Sequence, residues 1–165
     1  MILLGVFMLA NPAMVEVSGC FGRSYSPEHL AANPGQQLRE IRAKRYRQPD
    51  GATEYYDLRV HFRDDPREFS APTYCEKIGG QLTCMIECDG GTMRPSLTQD
   101  GNLRLSTDGL RAETDEALPG QVLEDGECGG PVTRSIADQN AKGAIATVFL
   151  LHPRKLAECS WQDPL

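Results

Sequence analysis

The sequence predicts an all-β, disulfide-linked domain: an up-and-down β-barrel or a sandwich of about eight or nine short strands, with a short helix near each end. Three observations predict this fold class. The 165-residue chain contains six cysteines, 16 glycines and 11 prolines, and the glycines and prolines favour short strands joined by turns. An even number of cysteines in a short exported chain favours disulfides. Several segments alternate apolar and polar residues, as strands with one buried face do.

The N-terminal residues form an apolar run, MILLGVFMLA, that ends before Asn11-Pro12. The run is too short to span a bilayer, but it suits the apolar core of a secretory signal peptide. We therefore predict a leader at residues 1–19 and a single β-rich domain at residues 20–165 of a periplasmic or secreted protein. A lipoprotein anchored in the membrane through Cys20 is the alternative, because Val17-Ser18-Gly19-Cys20 fits a lipobox. An N-terminal strand that stays in the domain is a third interpretation.

A short helix and two strands open the domain. Ser26 and Pro27 suit the cap and first position of a helix that ends before Asn33-Pro34-Gly35. Strict alternation from Thr53 to Arg63 predicts a strand with one apolar and one solvent-exposed polar face. The apolar face carries Tyr56, Leu58, Val60 and Phe62, and the polar face carries Tyr55, Asp57, Arg59, His61 and Arg63. Its partner strand is Leu38–Tyr46, with a bulge near Lys44-Arg45 because Tyr46 breaks the alternation.

A hairpin with a defined register follows. Gly79-Gly80 suits the positive φ angles of a two-residue hairpin turn. With these glycines as the turn, Cys75 lies directly opposite Cys84, at a separation that a disulfide can bridge. The sequence therefore predicts a Cys75–Cys84 disulfide.

The later segments are short strands between Asp-Gly turns, typical of a β-meander. We predict one strand near Gln121–Leu123, within long loops. Ala144–His152 is apolar at successive positions, which favours a strand buried on both faces. A closing helical turn is expected within Pro153–Cys159.

The sequence leaves the connectivity of the other four cysteines open. Cys88 and Cys128 suit each other as partners, and Cys20 and Cys159 would then join the two ends of the domain. A zinc site formed by Cys75, Cys84, Cys88 and Cys128 is disfavoured because paired C-x₂-C motifs are absent. A redox dithiol is disfavoured because no C-x-x-C motif is present. No metal and no cofactor are predicted.

Two segments resemble a group of small exported bacterial proteins without a known activity. The first begins at Cys20-Phe21-Gly22-Arg23-Ser24-Tyr25 and continues through His29–Gln36. The second is Cys84-x-x-x-Cys88-Asp89-Gly90-Gly91. The resemblance implies export and disulfides, and it implies no activity.

Three function classes remain open, and the net charge of −6 disfavours nucleic acid as a partner of any of them. The leading prediction is a non-catalytic β-scaffold that binds a small molecule or an envelope protein, because no catalytic motif is found. The first alternative is an enzyme whose site uses dispersed polar residues of one sheet face, Asp57, Arg59 and His61. The second alternative is a protein-binding inhibitor or assembly factor that uses the loop Asp115–Asn140.

Overall fold

A computed structural model describes residues 16–47, 54–124, 130–139 and 146–161. In these ranges, eleven antiparallel strands form one sheet curled into a half-barrel, and helix is limited to two short segments. The predicted all-β, disulfide-linked class is therefore confirmed. The strand number exceeds the eight or nine predicted, because several strands have only four or five residues.

The strands follow one another along the chain as β1 Glu16–Ser24, β2 Leu38–Arg47, β3 Glu54–Phe62, β4 Glu68–Pro72, β5 Tyr74–Ile78, β6 Gln81–Met85, β7 Thr92–Leu97, β8 Leu103–Asp108, β9 Arg111–Thr114, β10 Val132–Ser135 and β11 Ala146–Pro153. Across the sheet their order is β10-β9-β4-β3-β2-β1-β11-β8-β7-β6-β5. Thr73 alone separates β4 from the edge strand β5. The chain thus passes directly from β4, the third strand at one side of the sheet, to β5, the edge strand at the other side, which requires the sheet to curl.

The two short helices lie at the predicted places. Helix α1, Pro27–Ala32, follows β1, and the side chain of Ser26 accepts a hydrogen bond from His29 N at 3.2 Å, as an N-cap does. A 3-10 helix, Leu156–Cys159, follows β11. The prediction of a helix near each end is confirmed.

The core fills the concave side of the half-barrel. Alternation places one face of each strand inside, so strands from both halves contribute fully buried side chains. These include Leu38, Ile41, Leu58, Val60, Phe62, Phe69, Met93, Leu103, Leu105 and Leu151. The convex side, called the outer face below, carries the alternate residues.

The predicted bulge near Lys44-Arg45 is wrong. Strand β2 pairs with β3 without interruption from Glu40 to Arg47, and its register shift lies between Leu38 and Glu40. A second register shift lies in β1, between Val17 and Gly19. Tyr46 is buried because it stacks on Tyr55 on the outer face, with ring centroids 5.7 Å apart.

The predicted hairpin register is confirmed. Cys75 pairs with Cys84 across β5 and β6, and the two Cα atoms of their disulfide are 4.0 Å apart. Gly79 and Gly80 both have positive φ, 59° and 82°, which matches a type I′ turn.

The Cys20–Cys159 disulfide is also present, with Cα atoms 5.8 Å apart and a sequence separation of 139. Cys88 is disulfide-bonded as well. Its predicted partner, Cys128, lies outside the described residues. Among the described cysteines none is free.

Two strand predictions need correction. Gln121–Leu123 is not a strand; the strands of this region are β9 and β10, on either side of it. Strand β11 is central in the sheet, as expected, but it is not buried on both faces. Phe149 and Leu151 are buried in the core, whereas the outward-facing Val148 is 54% exposed.

Candidate functional site

The predicted polar residues of β3 lie together on the outer face. Strand pairing sets each of them between one residue of β2 and one of β4. Asp57 lies between Lys44 and Pro72. The three residues thus belong to three rows that run across β2, β3 and β4. The row of Asp57 is followed by Arg42-Arg59-Ser70 and then by Glu40-His61-Glu68. The alternation in the sequence thus predicted the shared face correctly, and the structure adds its neighbours on both sides.

The expectation that this face is exposed to solvent is wrong at one end. Asp57 and Lys44 are only 1% and 2% exposed. Trp161 covers them: its indole Nε1 donates to Asp57 Oδ2 at 2.6 Å, and its carbonyl oxygen accepts from Lys44 Nζ at 2.5 Å. A hydrogen-bonded indole and backbone carbonyl replace water here, as buried charged groups require.

Trp161 also packs against three cationic side chains. Its ring centroid lies 5.5 Å from Arg42 Cζ, 5.3 Å from Lys44 Nζ and 5.6 Å from Arg59 Cζ, within the range of cation–π attraction. The segment that carries Trp161 is held by the Cys20–Cys159 disulfide. Trp161 was not among the predicted site residues; the available signal was the chain's single tryptophan, two positions after a cysteine expected to be bonded.

The two arginines of the central row have different roles. Arg42 is committed to structure: it donates to Glu158 O at 2.9 Å and to Glu68 Oε2 at 2.7 Å. Arg59 Nε is buried without a hydrogen-bond acceptor among the described residues. The nearest carboxylate contact of Arg59 is Nη1 to Glu68 Oε1, at 4.0 Å. Arg42 Nε is buried without an acceptor as well, but both Nη groups of Arg42 are bonded, whereas the Arg59 guanidinium donates no hydrogen bond to the described residues.

His61 lies between two carboxylates. Its Nδ1 is 3.3 Å from Glu40 Oε2, and its Nε2 is 3.9 Å from Glu68 Oε2. The His61 side chain is 18% exposed. Asp57, which shares this face with His61, is instead hydrogen-bonded to Trp161.

A cleft of about 530 Å³ opens beside Arg59 on the outer face. Its floor comes from β3 and β4, and its far wall comes from β9 and the loop that follows. The residues that line this outer cleft are Arg59, Glu68, Ser70, Glu113, Thr114, Asp115, Glu116 and Gly130. We call Glu113, Asp115 and Glu116 the acidic rim. The cleft therefore combines one arginine with several carboxylates.

An ion pair fixes the wall of the outer cleft. Arg67, 6% exposed, donates from Nε and Nη2 to the two carboxylate oxygens of Asp65, at 3.0 and 2.8 Å. Its Nη1 donates to Glu116 O at 2.7 Å, which holds the loop that carries the acidic rim. These hydrogen bonds from Arg67 lower the pKa of Asp65 to about 2. At the other wall, Glu113 Oε2 accepts from Gly130 N at 2.5 Å.

A smaller cavity of about 130 Å³ adjoins the outer cleft and shares Glu113 with it. The loop from Ile86 to Gly90, which includes Cys88, forms its other side. In this loop Cys88 and Asp89 both have positive φ angles, 59° and 60°, which costs L-residues free energy unless the surroundings hold them. The disulfide at Cys88 provides such a constraint.

No family model, no curated protein and no solved structure matches this chain. In the described ranges, no group of three or more His, Cys, Asp or Glu side chains is arranged to hold a metal ion. None of the helices in these ranges is long and apolar enough to cross a membrane.

Of the predicted site residues, the structure brings Asp57, Arg59 and His61 onto one face, but only Arg59 lines the outer cleft. Asp115 lies on its rim, at the start of the loop proposed for protein binding, whereas Asn140 lies outside the described residues. Glu68, Ser70 and Glu113 were not singled out from the sequence.

Proposed function

We propose that this protein is a non-catalytic, exported binding protein, periplasmic or secreted, whose ligand occupies the outer cleft. The observation that carries the proposal is the Arg59 guanidinium, which lines a cleft of about 530 Å³ and donates no hydrogen bond to the described residues, its nearest carboxylate contact being Glu68 at 4.0 Å. A cleft of this size suits a small organic ligand. Arg42 and Arg67, by contrast, each donate at least two hydrogen bonds to acceptors within the protein.

Export is supported by the disulfides and by the apolar run at residues 1–10. Disulfides persist in oxidising compartments. The sulfur of Cys20 is bonded to Cys159, which favours the soluble exported form over a lipoprotein acylated at that atom. An interior ligand site, as in a barrel with an open mouth, is disfavoured because the core fills the concave side.

The test is native mass spectrometry of the full chain purified from an exporting host, compared with the variant Ser70→Phe. Ser70 lies on the cleft floor beside Arg59, so a phenyl ring there fills the cleft without changing charge. We expect an added mass on the wild type and its loss in Ser70→Phe, with unchanged circular dichroism. The same added mass on both proteins, or none on either, contradicts the proposal.

Catalysis is the second candidate function, and the placement of His61 favours it. His61 does not line the outer cleft, but it lies 3.9 Å from Glu68, which does, so the Glu68 carboxylate would carry a proton between the imidazole and a bound ligand. The wild type and His61→Gln would be incubated with the ligand recovered above. Conversion by the wild type and not by His61→Gln supports an enzyme; recovery of the unchanged ligand from both supports the binding protein.

A further inference from the structure

The outer cleft presents a positive and a negative region to its ligand. Arg59 lies on the floor, close to the ring of Trp161, whereas the acidic rim lies across the cleft on β9 and the following loop. Glu68 also lines the cleft, but its Oε2 accepts from Arg42 at 2.7 Å. The Glu68 charge is thus partly compensated within the protein, and the charges that a ligand meets are those of Arg59 and of the rim.

The donors of Arg59 suit a carboxylate. A guanidinium is a planar fork whose N–H groups match the two oxygens of a carboxylate. The Trp161 ring packs beside this fork, with its centroid 5.6 Å from Arg59 Cζ, and thereby limits the conformations of the side chain. An arginine restrained in this way loses less entropy when it binds an oxyanion.

The acidic rim disfavours a ligand that carries only negative charge. Asp115 and Glu116 are exposed, and Glu113 is half-buried with one oxygen committed to Gly130 N. A phosphate at Arg59 would place about two negative charges opposite these carboxylates. A ligand with one carboxylate and one cationic group satisfies both regions of the cleft.

We propose that the outer cleft binds a short peptide through its C-terminal carboxylate, held by Arg59, and a basic group, held by the acidic rim. This inference rests on the proposed function and names the ligand class of the same site. The cleft volume of about 530 Å³ is within the range of sites for ligands of a few residues.

Isothermal titration calorimetry at low ionic strength tests the proposal with three probes. They are the tripeptide Gly-Gly-Lys, its C-terminal amide, and acetyl-Gly-Gly-norleucine, which keeps the carboxylate but has no cationic group. A charge-assisted, bidentate contact is worth about 10-fold to 100-fold in affinity. We expect Gly-Gly-Lys to bind wild type more tightly than the amide by such a factor, and the ratio to fall to near one in Arg59→Gln.

The matched control is Arg104→Gln, which removes the same charge from an exposed position of β8 outside the cleft. It should keep the wild-type preference for the free carboxylate. The doubly substituted Asp115→Asn, Glu116→Gln protein should bind Gly-Gly-Lys and acetyl-Gly-Gly-norleucine with similar affinity.

Equal binding of the acid and the amide overturns the ligand class. The proposed function stands in that case if the wild type still carries an added mass that Ser70→Phe loses. Tighter binding of inorganic phosphate than of Gly-Gly-Lys overturns it in favour of a simple oxyanion site. Absence of binding by all probes, together with a native mass spectrum without an added mass, overturns both proposals.

Discussion

Asp65 and Arg67 form a buried, bidentate ion pair in the turn between β3 and β4, and Arg134 adds a contact from β10, 3.6 Å from Asp65 Oδ2. These contacts hold the turn and, through Glu116 O, the acidic rim. The pKa of Asp65 is about 2 in the folded protein, below the ordinary 3.8. A depressed carboxylate pKa stabilises the fold above the unfolded-state pKa, and this contribution is lost as the pH falls toward 2.

The first prediction follows from this pKa. Between pH 4 and pH 2 the wild type should lose up to about 2 kcal/mol of unfolding free energy through Asp65, as a shift of nearly two units implies. Asp65→Asn should be less stable than wild type at pH 5, and the difference should shrink toward pH 2. Asp64→Asn, at a side chain that is 65% exposed, should keep the wild-type pH dependence. Urea unfolding at each pH measures this; parallel curves for Asp65→Asn and wild type contradict it.

At the scale of residues, the sequence predicted which side chains of β3 share a face, because alternation along a single strand is local information. It did not predict that Trp161 covers Asp57, since this contact joins residues 104 positions apart. For the same reason, the sequence did not indicate Glu68 and Glu113 as site residues. They lie on β4 and β9, which pair with each other only through Ser70 and Glu113, and no sequence spacing connects them to Arg59.

At the scale of elements, two turns meet closely beside the smaller cavity. Gly91, before β7, has a φ of 82°, and a Cβ on it would overlap the backbone of Gly109 and Leu110, between β8 and β9. Gly101 has a similar φ of 76° with open space around it. A comparison of alanine substitutions at Gly91 and Gly101 therefore distinguishes two effects on the unfolding free energy. Both substitutions place an L-residue at a positive φ angle, but only the one at Gly91 also brings a Cβ against the backbone of another turn.

The second prediction compares these glycines. Gly101→Ala should reduce the unfolding free energy by about 1 kcal/mol, the cost of an L-residue in the left-handed region. Gly91→Ala should cost roughly 3 kcal/mol or more, because the backbone of the second turn has to move as well. Chemical denaturation measures both. If the two variants lose similar stability, the two turns are not in contact.

The sequence predicted two kinds of element well: strands in which apolar and polar residues alternate over many positions, and hairpins whose turn residues favour one turn type. Strand β3 and the β5–β6 hairpin belong to this group, down to the Cys75–Cys84 register. Strands β9 and β10 have four residues each, too few for a period to appear. The pairing of β4 with β9, which builds the outer cleft, joins segments far apart in the sequence.

At the scale of the whole molecule, the Cys20–Cys159 disulfide joins the first and last described elements across 139 positions. The hairpin disulfide, Cys75–Cys84, joins residues with a sequence separation of only 9. In the chain-entropy model, the stabilisation grows with loop length. The long bridge also positions Trp161, and through its ring Arg59, at the edge of the outer cleft.

The third prediction compares the two bridges. Replacing Cys20 and Cys159 by serine should cost about 5 kcal/mol, against roughly 2.5 kcal/mol for the same replacement at Cys75 and Cys84. Only the first variant should also shift the emission of Trp161, the chain's single tryptophan, to longer wavelength. Denaturant titrations followed by fluorescence give both quantities. A smaller cost for the long bridge, or unchanged emission, would show that Trp161 is held by other contacts.

The central claim is that the outer cleft is the ligand site and that Arg59 holds the ligand, and amide NMR of ¹⁵N-labelled protein titrated with Gly-Gly-Lys tests it most directly. The account predicts chemical-shift changes centred on Arg59, Ser70 and Glu113–Glu116, together with the Trp161 indole N–H. The same titration of Arg59→Gln should leave these signals largely unmoved. Shift changes centred on the loop Ile86–Gly91 instead, or the same changes in Arg59→Gln as in wild type, would contradict the claim.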